Sequence, residues 1–504
     1  MTLAAMLRQW LQILGFQGAA FIVAAATVTL AAKAMPPAMY GEYSLLLSIT
    51  QVIGGIALSW LNQTILRFAR EHFNQGGSVW TVAGTALVAE AAIAILLAVA
   101  LMLCAWLFHG RFTFALAHWP LLALALLTMT LSEAASYTGQ AANRFTGYGL
   151  GQFLAKLGPL ACMLGFLSLL PASADGLLLG TALGWALATA VTVSRLPVRG
   201  AAPLFDAMLL RRMLSYGWRL PFGSTAGILA TWMGLWFVQL MIDTVHAGLY
   251  GWASSVYALI GGILIPFSAV LAPRLTDMHL SRSRDEIYRV LRLALAVALL
   301  ATALLPLGLL LLRGLTHSPL WPTAYTGAGA PLTVLLATLP AQLLITLLNP
   351  LIMANETMIG RAVLFNIVAA LVNAAGNLLL IPWLGIEGAA LATVLSVWTL
   401  CALAFTNFYN KLTPEPDHSG IRGMAFAGCV SIAASLLLAF GNIFIAIAAT
   451  LAATPTLLLM ARRLGWLCGI DMLQGHLPRL PGFIHRPARA VIEWCVVLPR
   501  TRET

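Results

Sequence analysis

The sequence predicts an all-α polytopic membrane protein, with about fourteen transmembrane helices arranged as two parallel six-helix lobes and an accessory helix pair. Three observations predict this fold class: the composition, the length of the apolar runs and an internal repeat. Of the 504 residues, 60% are hydrophobic and only 9% are charged, whereas a soluble domain carries about 25% charged residues. Because so few charges cannot cover a soluble surface, lipid is the predicted solvent for most of the chain.

The apolar runs have the length of transmembrane helices. Each covers roughly twenty residues, which a helix needs to cross about 30 Å of hydrocarbon. Backbone polar groups in lipid need internal partners, and runs this continuous lack the alternation of barrel strands, so we predict helices. The predicted spans, with boundaries good to about four residues, are Leu11–Lys33, Tyr40–Trp60, Trp80–Phe108, Leu116–Thr138, Leu150–Leu170, Gly176–Val193, Pro221–Ile242, Leu249–Leu271, Val290–Leu312, Pro331–Met353, Val363–Ile381, Gly388–Phe408, Gly423–Phe440 and Ile443–Met460.

The basic residues are distributed unequally between the two sides of this topology. With the N-terminus in the cytoplasm, only Lys33, Arg111 and Arg313 fall on the outer side, and Lys156 lies within a span. That leaves 24 of the 28 lysines and arginines on or near the cytoplasmic side, as the positive-inside rule expects. The pattern predicts two cytoplasmic termini, and it accounts for the net charge of +11 without a nucleic-acid partner.

An internal repeat divides the chain into two halves. Residues of the second span recur 207 positions later without a gap: Gly41, Tyr43, Ile53 and Arg67 match Gly248, Tyr250, Ile260 and Arg274. A displacement of six spans preserves orientation, which predicts parallel repeats related by an axis along the membrane normal. The predicted domains are the lobes at 1–195 and 221–410, a cytoplasmic amphipathic linker at 196–220, accessory helices at 411–463 and a basic cytoplasmic tail at 464–504.

Two of these segments are predicted to contact membrane lipids. Within the linker, Leu204–Leu214 has the pattern of an amphipathic helix on the cytoplasmic membrane surface. The tail is rich in arginine, proline and glycine, and each basic residue near anionic lipid contributes on the order of 1 kcal/mol of attraction.

No motif for covalent chemistry is present in the sequence. The chain has no Walker loop, HExxH, GxSxG or metal-spaced cluster of histidines and cysteines. We therefore predict no catalytic residues, no metal and no cofactor, and we expect the polar residues inside the spans to serve transport.

Four ionisable residues lie inside or at the end of predicted spans: Lys156, Glu133, Glu90 and Asp243. Charges in a membrane mark functional sites by default, because each costs several kcal/mol unless it is hydrated or paired. Lys156 is predicted to bind phosphate as a point charge, with a structural Lys–Glu pair as the alternative. Glu133, Glu90 and Asp243 are the candidates for ion coupling. The alternatives are a structural role for Glu90 and simple solvation for Asp243.

Arginines and asparagines supply the remaining candidate site residues. Arg67, Arg274 and Arg219 lie where spans meet the cytoplasm. They either anchor the helices by the positive-inside rule or form a basic vestibule that collects an anionic headgroup. Asn373 and Asn377 lie on one face of the eleventh span. They are expected to hydrogen-bond between helices, or alternatively to contact sugar hydroxyls.

One stretch of the chain carries a family resemblance. The run NAAGNLLLIPWLGIEGAALAT (Asn373–Thr393) strongly resembles the turn between spans eleven and twelve of the polysaccharide-biosynthesis flippases. Tyr40–Tyr43 and Leu214–Pro221 resemble their first external turn and their entry to span seven. In this turn we expect Pro382 to end one helix, Gly385 to turn the chain, and the small residues after it to permit tight packing.

The resemblance implies a fold and a function. These flippases belong to the MOP (multidrug/oligosaccharidyl-lipid/polysaccharide) exporter superfamily, whose fold is MATE-like. The implied activity is to move polyprenyl-pyrophosphate-linked oligosaccharide from the cytoplasmic to the periplasmic leaflet of the bacterial inner membrane, by alternating access driven by an ion gradient or by the membrane potential. The implied pathways are exopolysaccharide or lipopolysaccharide biosynthesis, with a polysaccharide polymerase and export machinery as partners. No family residue can be carried over as a site residue.

The sequence is compatible with other functions. A peptidoglycan-precursor flippase and a multidrug exporter share the fold, although Lys156 disfavours a drug exporter, whose cavity is expected to be acidic. A membrane polysaccharide polymerase or glycosyltransferase belongs to another class. Such enzymes usually carry a sizeable charged external loop, and the predicted external loops here hold only scattered charges.

Overall fold

A computed structural model describes most of the chain. The described residues are 3–76, 78–107, 117–142, 144–168, 171–197, 204–217, 221–262, 284–316, 318, 321–354, 356–412, 419–463 and 467. The chain groups into two compact units, Met1–Leu259 and Ile260–Thr504. The predicted lobes, divided instead at the 196–220 linker, stay a prediction.

The first unit is built of helices that follow one another through short connections. They are α1 (Leu3–Ala34), α2 (Pro37–Gly76), α3 (Trp80–Leu107), α4 (Trp119–Ala141), α5 (Phe145–Ser168), α6 (Ala174–Ser194), α7 (Ala207–Gly217), α8 (Pro221–Met241) and α9 (Thr244–Gly262), whose last three residues belong to the second unit.

The second unit holds the remaining helices. They are α10 (Arg284–Thr316), a 3₁₀ turn (Thr323–Ala328), α11 (Gly329–Leu335), a second 3₁₀ turn (Leu336–Thr338), α12 (Leu339–Ala354), α13 (Glu356–Leu384), α14 (Ile386–Leu412), α15 (Ser419–Phe440) and α16 (Ile443–Arg463). Both 3₁₀ turns, α11 and most of α12 together form one broken span, Thr323–Asn349.

The predicted fold class is confirmed. Every element of the described residues is helical, and eleven of these spans are long and apolar enough to cross a membrane. A shorter apolar helix, Thr225–Met241, covers most of the predicted seventh span. With α9 and α16 at the predicted eighth and fourteenth spans, a total of about fourteen transmembrane helices is consistent with the structure.

Glycines allow close approach between neighbouring helices of the first unit. A Cβ atom added to Gly158 of α5 would overlap the carbonyl oxygen of Gly180 in α6, and one added to Gly184 would lie 2.6 Å from the carbonyl oxygen of Ala155. Helices in lipid associate by packing rather than by water exclusion, so small residues concentrate where backbones touch. These glycines therefore set the α5–α6 contact.

The linker helix α7 is packed against the first unit. Leu209 and Met213 are buried in the same apolar cluster as Leu58 of α2 and Val82 of α3. The backbone N–H of Asp206 donates to Thr85 Oγ1 at 3.0 Å. The predicted amphipathic helix is thus present, and one of its faces is a packing face rather than a membrane face.

Repeat-related residues of α2 and α9 meet each other. A Cβ atom on Gly41 would lie 2.9 Å from the backbone nitrogen of its repeat partner Gly248, and one on Gly248 would overlap the carbonyl oxygen of Pro37. Tyr40 donates to Ser255 Oγ at 3.0 Å nearby. Two glycines that the repeat relates therefore lie in direct contact within the first unit.

The turn between α13 and α14 differs in one detail from expectation. Pro382 lies inside α13, which continues to Leu384, so the proline does not end the helix. The turn is made by Gly385, whose φ of +64° suits glycine. Ala389 and Ala390 are fully buried after it, so the small residues do pack tightly as predicted.

Candidate functional site

Polar side chains of three helices converge in the first unit. Asn62 of α2 donates from Nδ2 to Glu133 Oε2 of α4 at 2.8 Å. Glu90 of α3 lies close enough to Glu133 for their two charges to interact. The structure thus brings together two of the three predicted ion-coupling residues, along with an asparagine that the sequence reasoning did not single out.

Glu90 is the most unusual member of this cluster. Its side chain is 0% exposed, because it follows Ala86 by one helical turn and precedes Ala94 by another, on the buried face of α3. Both of its carboxylate oxygens, and also Oδ1 of Asn62, have no hydrogen-bond partner among the described residues. A buried group with unmet acceptors is costly, so this arrangement calls for a bound proton or cation.

Lys156 projects from the middle of a membrane span. It lies within the candidate span Thr146–Leu167. The preceding residue, Ala155, is buried and packs on α6. The Lys156 side chain itself is exposed. None of the described carboxylates lies within ion-pair distance of it. The alternative of a structural Lys–Glu pair therefore finds no support in this conformation.

Asp243 serves as a helix cap between α8 and α9. Its Oδ1 accepts the backbone N–H of His246 at 2.8 Å, and its carboxylate oxygens lie 2.8 and 2.9 Å from His246 Nδ1. The backbone hydrogen bond from His246 is the main cause that lowers the pKa of Asp243. Asp243 lies in an exposed turn between α8 and α9. It is not part of the cluster formed by Glu90 and Glu133.

Arg67 lies near the end of α2 and stacks on aromatic rings. Its guanidinium carbon lies 4.1 Å from the centroid of Tyr216, which is in α7, and 5.9 Å from that of Phe68. Arg219 and Arg274, the other predicted arginines of a basic vestibule, lie outside the described residues.

Asn373 and Asn377 are both buried in α13. Asn377 Nδ2 donates to Asn373 Oδ1 at 2.6 Å and to the Asn373 carbonyl oxygen at 2.8 Å. The observed bonds therefore run within one helix, whereas bonds between helices were expected. With their amides buried, a glycan has no access to either residue in this conformation.

Comparison with known proteins identifies the family. Residues 6–279, more than half of the chain, match the family described as "Polysaccharide biosynthesis protein". The chain belongs to this family. No curated protein sequence matches it significantly.

Solved structures extend this result to the fold of the polysaccharide biosynthesis protein. An inward-facing multidrug resistance MATE family transporter of the MOP superfamily is similar with a TM-score of 0.62 and 12% identity, covering 78% of this chain and 94% of the other. The lipid II flippase MurJ, in an inward closed conformation, has a TM-score of 0.61 and 12% identity, covering 89% and 99%. A eukaryotic MATE transporter has a TM-score of 0.58 and 12% identity, covering 84% and 99%. The predicted family and fold are confirmed.

Some polar residues lie in the candidate sites although the sequence did not predict them there. Asn62 falls two residues beyond the predicted second span, but α2 continues to Gly76, so Asn62 is buried beside Glu133. Tyr216 and Arg212 lie far from Arg67 and Phe68 in sequence, and only the packing of α7 brings Tyr216 to Arg67 and Arg212 to Phe68. Residues 61–72 contain no glycine or proline, and this absence of helix breakers could have predicted that α2 continues beyond Trp60.

Proposed function

We propose that this polysaccharide biosynthesis protein is a flippase for polyprenyl-pyrophosphate-linked oligosaccharides. It would move them from the cytoplasmic to the periplasmic leaflet of a bacterial inner membrane for polysaccharide export. The family match and the MOP-superfamily fold support a transporter, and the name of one structural neighbour, a lipid II flippase, supports a lipid-linked substrate. A polysaccharide polymerase and export machinery are the proposed partners of the pathway.

The observation that carries the substrate class is Lys156. An exposed ammonium group in the middle of a span, with no carboxylate partner among the described residues, is costly to maintain unless an anion visits it. At an effective dielectric constant of about 20, two opposite unit charges 4 Å apart attract by about 4 kcal/mol. A pyrophosphate provides such charge, whereas a cationic drug would be repelled, so Lys156 disfavours a multidrug exporter.

Ion coupling is assigned to Glu133 and Glu90. The buried Glu90 carboxylate has no donor among the described residues, so loading and release of a cation or proton there would change the electrostatic free energy of the α2–α3–α4 packing. Asp243 contributes less to this proposal because its carboxylate is already used as an exposed helix cap.

Alternating access would require the α2–α9 contact to open and close. Gly41 and Gly248 touch at the predicted external ends of their helices, with Trp236 Nε1 donating to Ser48 Oγ at 2.7 Å deeper in. In this conformation the predicted external side is closed at α2 and α9. Release of a glycan to that side would require these contacts to separate.

A peptidoglycan-precursor flippase is the second candidate. It would use the same lysine, since its substrate also joins a polyprenyl chain to a sugar through pyrophosphate. The MurJ similarity, at 12% identity, favours the shared fold and not this substrate.

The test asks which leaflet holds the lipid-linked intermediate. The gene is deleted in its host, and intermediates are labelled with a membrane-impermeant reagent that reacts with glycans. We expect intact units to accumulate on the cytoplasmic face. The wild type should restore export, Lys156→Arg should retain most activity, and Lys156→Gln should lose at least tenfold. If instead the units reach the outer face and remain unpolymerised, the protein is an enzyme of the next step and the proposal is wrong.

A further inference from the structure

The linker helix α7 and the residues just before it leave several large side chains exposed on the side away from the buried Leu209 and Met213. Large apolar side chains are exposed there beside exposed arginines, and Met208 reaches 76% exposure. The exposed residues of this side are Leu204 and Phe205, which precede the helix, and Met208, Arg211, Arg212, Leu214 and Tyr216 of α7. An apolar patch rimmed by basic residues is the composition of a helix that lies in a membrane interface.

Two arginines share an aromatic pair at the edge of this side. Phe68 of α2 and Tyr216 of α7 meet edge to face, with ring centroids 6.1 Å apart. The Arg67 guanidinium lies 4.1 Å from the Tyr216 centroid, and the Arg212 guanidinium lies 5.4 Å from the Phe68 centroid. Stacking on a ring face leaves the N–H edge of a guanidinium free to bind an anion in a bidentate way.

The acidic residues nearby do not neutralise the positive charges of Arg67 and Arg212. Glu71 Oε1 lies 3.9 Å from Arg212 Nη2, at the outer limit of an ion pair, and both side chains are exposed. Asp206 is occupied as the cap of α7, accepting the backbone N–H groups of Met208 and Leu209. No described carboxylate pairs with Arg67.

The position along α2 matches the depth of lipid phosphates. Arg67 follows Pro37, the first residue of α2, by thirty residues, which corresponds to about 45 Å of helix. A bilayer with its headgroups is about 40–45 Å thick. With Pro37 at one membrane surface, Arg67 therefore lies at the headgroup level of the opposite leaflet, which the predicted topology makes the cytoplasmic one.

We propose that Arg67 and Arg212, backed by Phe68 and Tyr216, bind the phosphate of a resident anionic phospholipid. Its acyl chains would lie against the exposed apolar residues of α7. The two guanidinium groups favour an anionic headgroup over a zwitterionic one, and the lipid would neutralise the cations. This site is separate from the Lys156 site, and its occupant is a structural lipid rather than the transported substrate.

The test measures lipid retention on the purified full-length protein by native mass spectrometry. Equal amounts of phosphatidylglycerol and phosphatidylcholine are offered in detergent. We expect the wild type to retain phosphatidylglycerol in preference, and the double variant Arg67→Gln with Arg212→Gln to bind it roughly 30-fold more weakly, at about fivefold for each lost basic contact. The double variant with lysine at both positions should keep part of the preference, because it retains charge without the planar fork.

Control measurements separate this site from transport. Lys156→Gln should keep full phosphatidylglycerol retention, so its export defect tests the proposed function independently. Equal retention of both lipids by the wild type, or an unchanged preference in the glutamine double variant, would overturn the proposal. A polyprenyl pyrophosphate that displaces phosphatidylglycerol and is itself retained only when both arginines are present would instead assign the site to substrate entry, which also overturns it. If the glutamine variant does not fold, a salt titration of the wild type decides: retention must fall steeply with salt.

Discussion

At the residue scale, the structure separates charged groups that were alike in the sequence. Glu90 and Asp243 were both candidates for ion coupling. Glu90 is fully buried with unpartnered oxygens, whereas Asp243 caps a helix in an exposed turn. The two carboxylates therefore have opposite effects on stability. An unpaired buried carboxylate raises the free energy of the folded state, whereas a capping carboxylate lowers it.

Replacement of Glu90 by leucine is expected to stabilise the protein and to stop transport. Leucine has no unsatisfied acceptor, so the free energy of unfolding should rise by about 1–3 kcal/mol, while the site for the coupling ion is lost. Thermal unfolding and the export assay check both effects. Glu133→Leu is the matched control: it leaves Asn62 Nδ2 without its acceptor and should destabilise. A destabilised Glu90→Leu protein would mean that the carboxylate already has a stabilising ligand.

Replacement of Asp243 by alanine is expected to lower stability in a pH-dependent way. Loss of such a cap costs about 0.5–2 kcal/mol. Because the pKa of Asp243 is lower in the folded state, its contribution is fully present above the unfolded pKa of about 3.9. It disappears as the pH falls through the folded pKa. Unfolding midpoints at pH 7 should therefore differ between variant and wild type, and the difference should shrink as the pH falls below about 4; a constant difference would exclude this role.

At the element scale, α2 carries three separate contacts along its length. Gly41 touches α9, Asn62 bonds to α4, and Arg67 stacks on α7. Because α2 is one continuous helix of 40 residues, a displacement at its α9 end is transmitted to the other two. The helix therefore links the predicted external contact to the buried carboxylates.

Alanine at Gly248 is expected to impair transport by opening the α2–α9 contact. The added methyl group would overlap the carbonyl oxygen of Pro37, and relieving such overpacking costs about 1–3 kcal/mol. That would shift the conformational equilibrium by roughly 5- to 150-fold toward the separated state. Gly262→Ala in the same helix, where a Cβ meets nothing within 4 Å, is the control and should transport normally. Equal activity of the two variants in the export assay would contradict the prediction.

At the scale of the whole molecule, the internal repeat relates residues that the structure brings into contact between α2 and α9. Ser44 and Gly251 are also repeat partners, and a Cβ on Gly251 would lie 3.0 Å from Ser44 Cβ. A transporter with two equivalent halves can alternate between states by rocking one half against the other. Under the proposed alternating access, the contacts between α2 and α9 are therefore those that would break in each cycle.

A disulfide between cysteines at positions 44 and 251 should arrest the cycle. The Cβ atoms in the double variant Ser44→Cys with Gly251→Cys would be near the mean disulfide separation of about 3.8 Å, after a small adjustment. We expect oxidation to reduce export by the double variant below about one tenth and a reductant to restore it, whereas oxidation should not change export by either single variant. Full export by the oxidised, verifiably cross-linked protein would show that this contact does not open during transport.

The sequence by itself determined the fold class, the parallel repeat and the charged residues inside the membrane. The length of the apolar runs and the unequal distribution of lysine and arginine along the chain are local or additive properties. They can be read before the chain folds. The positions of Asn62, Tyr216 and Arg212 beside their partners were decided only by tertiary structure, because each belongs to a different helix from the group it meets. The tertiary structure likewise left Lys156 exposed and buried Glu90. Burial depends on which face of a helix meets a neighbouring helix. When a helix is apolar on all sides, its sequence does not indicate which face that is.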